Sequence, residues 1–376
     1  MNTSVDHVDY SSLDTAKNAF IEAGRKTLQF AKHFGFVPNE TLGASANVFS
    51  LNLRPFLQAG QKTLYITLLP EGLGTADDAR PDDLTYDELL GFWKNIAAKT
   101  MGTLTNDAAS AGMQTILVSL YLPSCRPDFV FNKPFLEGFL DGFVDCCKSV
   151  GCVYFSGETP QLKNKIVEDK LDVAGALFGL MPAGLLPITG SDVAAGDYII
   201  FVESAGPDAN GFTSLRELAT KLPQGYRTTL PSGQEYWKAI NKPTKLYTPF
   251  IQEVLKLGIK PSNIEPISGH GWQKLMRSNK PLSYVIHETL PIPEIFTFVQ
   301  EQTNTPQKEM VKIFNYGVGM ALYIAGKDNA NSIVAIAKKH NLNAIVAGEI
   351  VPSEQREVVI EPYGITLESE AFLLAK

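Results

Sequence analysis

The sequence predicts an α/β (α+β) protein of two domains, residues 1–185 and 186–376. Three observations carry that expectation. Strand-like apolar runs alternate with long amphipathic helical stretches through the first half of the chain. A Pro/Gly/Ala-rich connector, Met181 to Gly196, then interrupts the pattern. The chain has 376 residues, 44% of them hydrophobic, which is enough for two sizeable cores.

Taken in order, Asp14 to His33 reads as a first helix, with Ala16, Phe20, Ala23, Leu28 and Phe30 as its apolar residues. Asn39 to Ala59 is loop-like. Thr63 to Leu69 reads as a strand running into a glycine-rich turn, Pro70 to Thr75. Thr85 and Glu88 form the capping-box pattern of a helix extending to Ser110. A strand from Thr115 to Leu122 follows, then a helix from Phe135 to Val150 stopped by Gly151. Cys152 to Phe155 is a short strand before the turn Ser156 to Thr159, and Leu171 to Leu180 is another strand. In the second half, Tyr198 to Glu203 is a strand, with helices after Asn210 and over Thr248 to Leu257. A strand at Leu282 to His287 and a helix at Pro293 to Gln302 come next. A helix at Asn331 to His340 and strands at Ala344 to Ile350 and Arg356 to Ile360 close the chain.

The net charge of −7 argues against a partner that is a nucleic-acid backbone, while leaving room for a small phosphorylated substrate held by local Lys and Arg. Cys125, Cys146, Cys147 and Cys152 match no zinc spacing and read as reduced core residues. The longest apolar run, Val173 to Ile188, is too short and too broken by Pro182, Pro187 and glycines to span a bilayer. Met1 to Tyr10 is polar and acidic, without a signal-peptide pattern. A cytoplasmic protein with no membrane partner is the expectation.

Several stretches carry chemistry. Thr305 and Pro306 read as the start of a helix that places Met310, Ile313 and Phe314 on one face and ends at Asn315 and Tyr316. Gly317 and Gly319 flank Val318 and lead into the apolar strand Met320 to Ile324. Two glycines so spaced leave backbone bare for a ligand or another backbone; a tight turn in a core needs them equally. The turn Pro70 to Thr75 is either a phosphate cradle or a plain turn, and it matches neither the P-loop nor the dinucleotide fingerprint. Glu71, Asp107, Glu158 and Asp172 recur at element ends, where carboxylates can hold magnesium or simply cap. Ser204 to Phe212 leads into a helix start bearing Arg216, a pattern that suits an anion. Ser268 to Trp272 is a second glycine-flanked loop, with His270 at its tip and Lys274 and Arg277 just beyond.

Taken together, these stretches resemble the phosphoribosylformylglycinamidine cyclo-ligase (aminoimidazole ribonucleotide, AIR, synthetase) family. The resemblance is collinear. It runs through Gly72-Leu73-Gly74-Thr75, Asn106-Asp107, Gly157-Glu158-Thr159 and Asp172-Val173-Ala174-Gly175 in the first domain. In the second it runs through Ser204 to Arg216, Pro243 to Tyr247, Pro293 to Phe296, Glu309 to Met320 and Glu354-Gln355-Arg356. It implies an N-terminal domain that binds ATP and pairs with its twin in a homodimer, and a C-terminal α+β domain. It implies ATP-dependent ring closure of formylglycinamidine ribonucleotide to AIR, with ATP and Mg2+ as cofactors. A non-catalytic or altered-substrate paralogue on the same scaffold is the alternative. The implied nucleotide contacts are Glu71, Gly72, Gly74, Thr75, Asn106, Gly157, Glu158, Thr159, Asn210, Gly211, Asn315 and Gly317. The implied metal ligands are Asp107, Glu71 and Asp172.

The chain departs from that family's pattern at several positions. Glu71 stands for Asp at the head of the glycine-rich turn, and Ala76 for Lys at its end. Lys99 stands where Asp is expected, Asp208 and Pro266 where histidines are expected, and His270 where a glycine is expected. Compensation assigns the catalytic roles to His270, Asp208 and Lys99: a donor or cation from His270 or Lys99, and a carboxylate from Asp208 for the substrate amidine. The homodimer expectation rests on the resemblance and on apolar strands such as Thr115 to Leu122 that would need a cover.

Overall fold

The computed structural model describes residues 10–38 and 47–368. The expectations for residues 1–9 and for residues 39–46 of the first loop lie outside the described residues. The chain divides into two compact units, Met1–Leu104 with Thr115–Gly184, and Thr105–Gln114 with Leu185–Lys376.

The first unit opens with α1 (Tyr10–Thr27), a two-stranded ribbon of β1 (Phe36–Pro38) and β2 (Phe49–Leu51), and β3 (Ile66–Gly72). Next come α2 (Tyr86–Ser110), β4 (Gln114–Tyr121), α3 (Pro127–Val130), α4 (Lys133–Val150), β5 (Val153–Glu158) and β6 (Ala174–Leu180). The last residues of α2, from Thr105 on, and Gln114 are counted with the second unit. The main sheet has the order β3-β6-β4-β5, with β3 antiparallel to β6 and β4 parallel to β5.

The capping box closes as expected: Glu88 N–H donates to Thr85 Oγ1 at 3.3 Å, and Thr85 N–H donates to Glu88 Oε2 at 3.0 Å. α4 ends at Gly151 in the left-handed region, φ 78°. Its stacked rings Phe135, Phe139 and Phe143 continue onto Tyr154 of β5. Gly138 and Gly142 let α4 approach α2, since a Cβ on either would come within 3 Å of the Leu90 or Lys94 main chain. All four cysteines are free and buried.

Three elements differ from expectation. The first helix stops at Thr27, and only a single tight turn, Lys32–Phe34, follows it. Pro70 to Gly72 and Ser156 to Glu158 are strand, not turn. Pro70 is tolerated because β3 is the edge strand and pairs on one side only.

The expected bare strand is also different. Thr115 to Leu120 lies within β4, between β6 and β5, and is almost wholly buried. On the edge strand β3, by contrast, Leu68 is 75% and Ile66 56% exposed.

The second unit runs β7 (Asp197–Glu203), α5 (Phe212–Ala219), α6 (Tyr236–Ile240), α7 (Thr248–Lys256), β8 (Asn263–Pro266) and β9 (Leu282–Ile286). It continues with α8 (Glu294–Thr303), α9 (Gln307–Ile313), β10 (Val318–Ala325), α10 (Lys327–Lys339), β11 (Ala344–Pro352), β12 (Glu357–Ile360) and β13 (Ile365–Glu368). Seven strands form one sheet, β13-β12-β9-β11-β7-β10-β8, antiparallel except for β12 on β9.

Both faces of this sheet are covered. Ile200, Val202, Met320 and Leu322 pack under α7 and α10, while Phe201 and Tyr323 meet Trp272 and the Leu275 carbonyl on the other side. Strands β8 and β13 and helix α6 carry no sequence signal of their own length. In α9, Met310 and Phe314 are buried as expected, but Ile313 is 39% exposed and Val311 takes the core position. α9 starts at Gln307 with Pro306 as its cap residue, one step later than the sequence pattern suggests. Among the described residues no helix is long and apolar enough to cross a membrane.

Candidate functional site

In the first unit, three main-chain hydrogen bonds decide which loops meet. Leu73 N–H donates to Val173 O at 2.8 Å, Leu122 N–H to Glu158 O at 2.9 Å, and Asp172 N–H to Pro123 O at 3.0 Å. The ends of β3, β4 and β5 and the start of β6 therefore share one edge of the sheet. That edge gathers Glu71, Gly72, Gly74, Thr75, Gly157, Glu158, Thr159 and Asp172. Gly74 has φ 72°, which favours glycine, and a Cβ at Gly72 or Gly74 would meet no atom within 4 Å. Packing does not explain the bare backbone at Gly72, so it is open to a ligand. Gly157 is different, because a Cβ there would fall 2.4 Å from the Tyr154 hydroxyl.

Lys99 corrects an expectation. It lies in α2 with no exposed surface, so in this structure its ammonium is not presented to a ligand and it cannot supply the charge absent at Ala76.

In the second unit, Asn315 is the hub. Its Oδ1 accepts from Ser204 Oγ (3.1 Å) and from Gly317 N–H (3.2 Å). Its Nδ2 donates to Gly206 O (2.8 Å) and to Asp208 Oδ2 (2.9 Å), and its carbonyl accepts from Trp272 Nε1 (2.8 Å). A Cβ on Gly211 would fall 2.2 Å from the Phe314 ring, and one on Gly271 would fall 2.1 Å from Val311 O. Gly269 lies against Asn210. The loops 204–211, 268–271 and 314–319 thus form one cluster.

Within that cluster three non-glycine residues, Asp208 (φ 52°), His270 (φ 72°) and Tyr316 (φ 49°), hold left-handed backbone. Such strain persists only where the surroundings fix it. His270 is exposed and Asp208 is half-buried. Asn315 is 1% exposed with its amide fully used, so it orients Asp208 and the turn and does not present its amide to a nucleotide.

Asn106 likewise turns inward. Its Nδ2 donates to Lys245 O (2.9 Å) and its Oδ1 accepts from Tyr247 N–H (2.9 Å). Tyr247 in turn explains Gly319, where a Cβ would sit 1.9 Å from the Tyr247 hydroxyl. The second glycine of the 317/319 pair therefore answers to a neighbouring side chain.

Asp107 belongs to a charged layer. Burial pushes its carboxyl pKa up, and Lys274 and Arg277 pull it back. Lys274 is buried and donates to Pro266 O (3.2 Å) and to Ser268 Oγ, which ties it to the His270 loop. Arg277 lies 3.0 Å from Glu265. Burial raises the Glu265 carboxyl to about 7, opposed by Arg277 and Lys274 and helped by Asp107. Ser204 and Tyr247 lie in stretches that the sequence singled out without giving either a role of its own. Glu265 was not legible, and only the register of β8 and β10 brings it inward. Among the described residues no three His, Cys, Asp or Glu side chains are placed to hold a metal ion.

The family described as "AIR synthase related protein, N-terminal domain" matches residues 83–181. A phosphoribosylformylglycinamidine cyclo-ligase of Methanococcus maripaludis is 26% identical over 306 residues, covering 80% of this chain and 83% of that protein. The chain is thus similar to the AIR synthase-related family over that stretch and to cyclo-ligases over most of its length. Another cyclo-ligase of that name, from Oceanobacillus iheyensis, is 30% identical over 223 residues, covering 58% of this chain and 64%, just under two thirds, of that relative.

Solved structures of low identity share this α+β fold. The E. coli hydrogenase maturation protein HypE has a TM-score of 0.61 at 15% identity, covering 97% of this chain and 98% of its own. A HypE structure in complex with ATP has a TM-score of 0.59 at 14% identity, covering 91% and 93%. Thiamine-monophosphate kinase from Stenotrophomonas maltophilia has a TM-score of 0.59 at 16% identity, covering 92% and 97%.

Proposed function

We propose that this protein is an ATP-dependent cyclo-ligase that closes the imidazole ring of formylglycinamidine ribonucleotide, giving AIR in purine synthesis. The observation that carries this reading is the collinear likeness to proteins of that name over 80% of the chain. It is supported by the loop cluster around Asn315, where two stretches behind the resemblance, Ser204 to Arg216 and Glu309 to Met320, meet. On this reading the first unit binds nucleotide and dimerises, and the second completes the enzyme.

When bound, ATP supplies a phosphoryl group that makes the formyl amide oxygen a leaving group. The chain's own residues have three tasks. The open main chain at Gly72 to Thr75 offers N–H groups to phosphate oxygens. Asp107, Glu71 and Asp172 are the carboxylates that would hold magnesium. Carboxylates of this kind suit Mg2+ as an ion that keeps water and phosphate among its ligands. Asp208, held by Asn315, offers a carboxylate to the cationic amidine, and His270 at the exposed loop tip is the donor near developing phosphate charge.

An altered-substrate paralogue is the second reading, favoured by buried Lys99 and by Asp208 at the position of an expected histidine. ADP release measured with and without formylglycinamidine ribonucleotide separates the two. Stimulation with formation of ring product supports the cyclo-ligase. ATP binding with no product at any substrate concentration removes it.

We also propose a homodimer through the first unit, with the edge strand β3 and its exposed Ile66 and Leu68 as the surface to be covered.

A further inference from the structure

Lysine is rarely enclosed, because its ammonium gives up water that the interior must replace. Lys274 is 7% exposed, in the tight turn Gly271–Met276 that follows the His270 loop. Its Nζ donates to Pro266 O at 3.2 Å and to Ser268 Oγ. Both acceptors belong to the chain entering the loop: Pro266 ends β8, and Ser268 stands two residues before His270. Two carboxyls from other elements lie near the ammonium, Asp107 of α2 and Glu265 of β8. Burial raises the pKa of both, and in each Lys274 opposes the rise. Charge alone does not specify where an ammonium sits; its hydrogen bonds to Pro266 and Ser268 place this one at the base of the loop.

The loop is tied at both ends to the 314–319 segment. Ile267 N–H donates to Gly319 O at 3.0 Å, and Trp272 Nε1 donates to Asn315 O at 2.8 Å. Between these ties, Gly271 N–H donates to Ser268 O at 2.9 Å and Gln273 N–H to His270 O at 3.2 Å. They close a turn with His270 in left-handed backbone, which a residue other than glycine keeps only where its surroundings impose it. Ser268 begins that turn, and its side chain is bonded to Lys274.

We propose that Lys274 is a positioning residue: its buried ammonium, bonded to Pro266 O and Ser268 Oγ, holds the 266–271 turn so that His270 stays fixed at the exposed tip. Only the catalytic consequence of this inference rests on the proposed cyclo-ligase function. A methionine fills the space of the lysine stem but offers no donor, so Lys274→Met frees the turn without opening a large cavity. Asp107 and Glu265 keep Arg277 as a counter-charge in that variant.

Hydrogen exchange of the whole chain, read by peptide mass spectrometry, tests the turn directly. Lys274→Met should speed exchange over residues 267–273 by about tenfold or more, with residues 320–325 of β10 unchanged. Ser268→Ala, which leaves every charge in place, should speed the same amides by a smaller factor. Added to Lys274→Met it should do little more, because the two act through one hydrogen bond. Unchanged exchange over 267–273, an equal rise there and in 320–325, or fully additive effects of the two substitutions would overturn the proposal. If Lys274→Met does not fold, Ser268→Ala carries the test, and unchanged exchange in that variant overturns it. In an enzyme that closes the ring, Lys274→Met should lower kcat by about tenfold or more. The KM values for ATP and the formyl substrate should each move by less than about threefold, a split that lost stability alone does not produce. A change in KM with kcat intact would remove the link to His270. Absence of ring closure in the wild-type protein would remove the cyclo-ligase reading and leave the exchange result standing.

Discussion

Asp208 and His270 each hold left-handed backbone at a loop tip, one half-buried and tied to Asn315, the other exposed. On the proposed function, His270→Ala removes a donor at developing charge and should lower turnover roughly a hundred- to a thousandfold, with ATP affinity little changed. Asp208→Asn should act mainly on the formyl substrate, raising its KM. Steady-state kinetics on both variants check the pair, and wild-type rates in both would discard the assignment. Asp77 gives a pH effect of defined sign. Its pKa rises from 3.8 to about 8 on folding, so the folded state holds a proton that the unfolded state has lost between those values. Stability should then fall as pH rises through that window, by up to about 1.4 kcal/mol per pH unit from this one group. Asp77→Asn should be more stabilising at pH 8 than at pH 5, and denaturant melts at the two pH values measure the difference.

Among the elements, the turn from α9 into β10 depends on one amide. Asn315→Ala leaves Ser204 Oγ, Gly206 O and Gly317 N–H without their buried partner. The expected loss is about 2–4 kcal/mol, visible as a lower Tm. It should come with a loss of activity larger than the stability change explains, since Asp208 is released as well. Gly319→Ala places a methyl group on the Tyr247 hydroxyl, and overpacking of this kind costs roughly 1–3 kcal/mol. Thermal unfolding of that variant reads the cost directly. Much at this scale was open to sequence reasoning. The capping box at Thr85 and Glu88 and the stop at Gly151 are local signals, and the structure repeats them. The strand character of Pro70 to Gly72 was not, because the cost of a proline in a strand depends on whether that strand is at an edge.

For the molecule as a whole, two outcomes are expected. Light scattering coupled to size exclusion should give a dimer at micromolar concentration, and Leu68→Asp on β3 should convert it to monomer. A wild-type monomer would leave the exposed face of β3 without the cover proposed for it. Titration with a non-hydrolysable ATP analogue should show tighter binding in magnesium than in EDTA, and Asp107→Ala should abolish that difference. Equal affinities in both media would remove the metal role from Asp107.

The sequence by itself determined the alternation of strands and helices, the reduced buried cysteines and the ordered stretches that the family likeness rests on. These are short-range properties, set by periodicity, caps and turn residues along a few turns of chain. It also picked out Glu71 to Thr75, Glu158, Asp172, Asp208 and His270 as positions to examine. Only the tertiary structure decided which of them face outward. Lys99 and Asn106 look like ligand residues in one dimension, yet one is fully buried and the other holds main chain at Lys245 and Tyr247. The inward turn of Glu265 and the burial of Asp77 were likewise invisible. Burial and hydrogen-bond partnership are set by residues distant in sequence, and the pKa of a carboxyl follows those partners, not its neighbours along the chain.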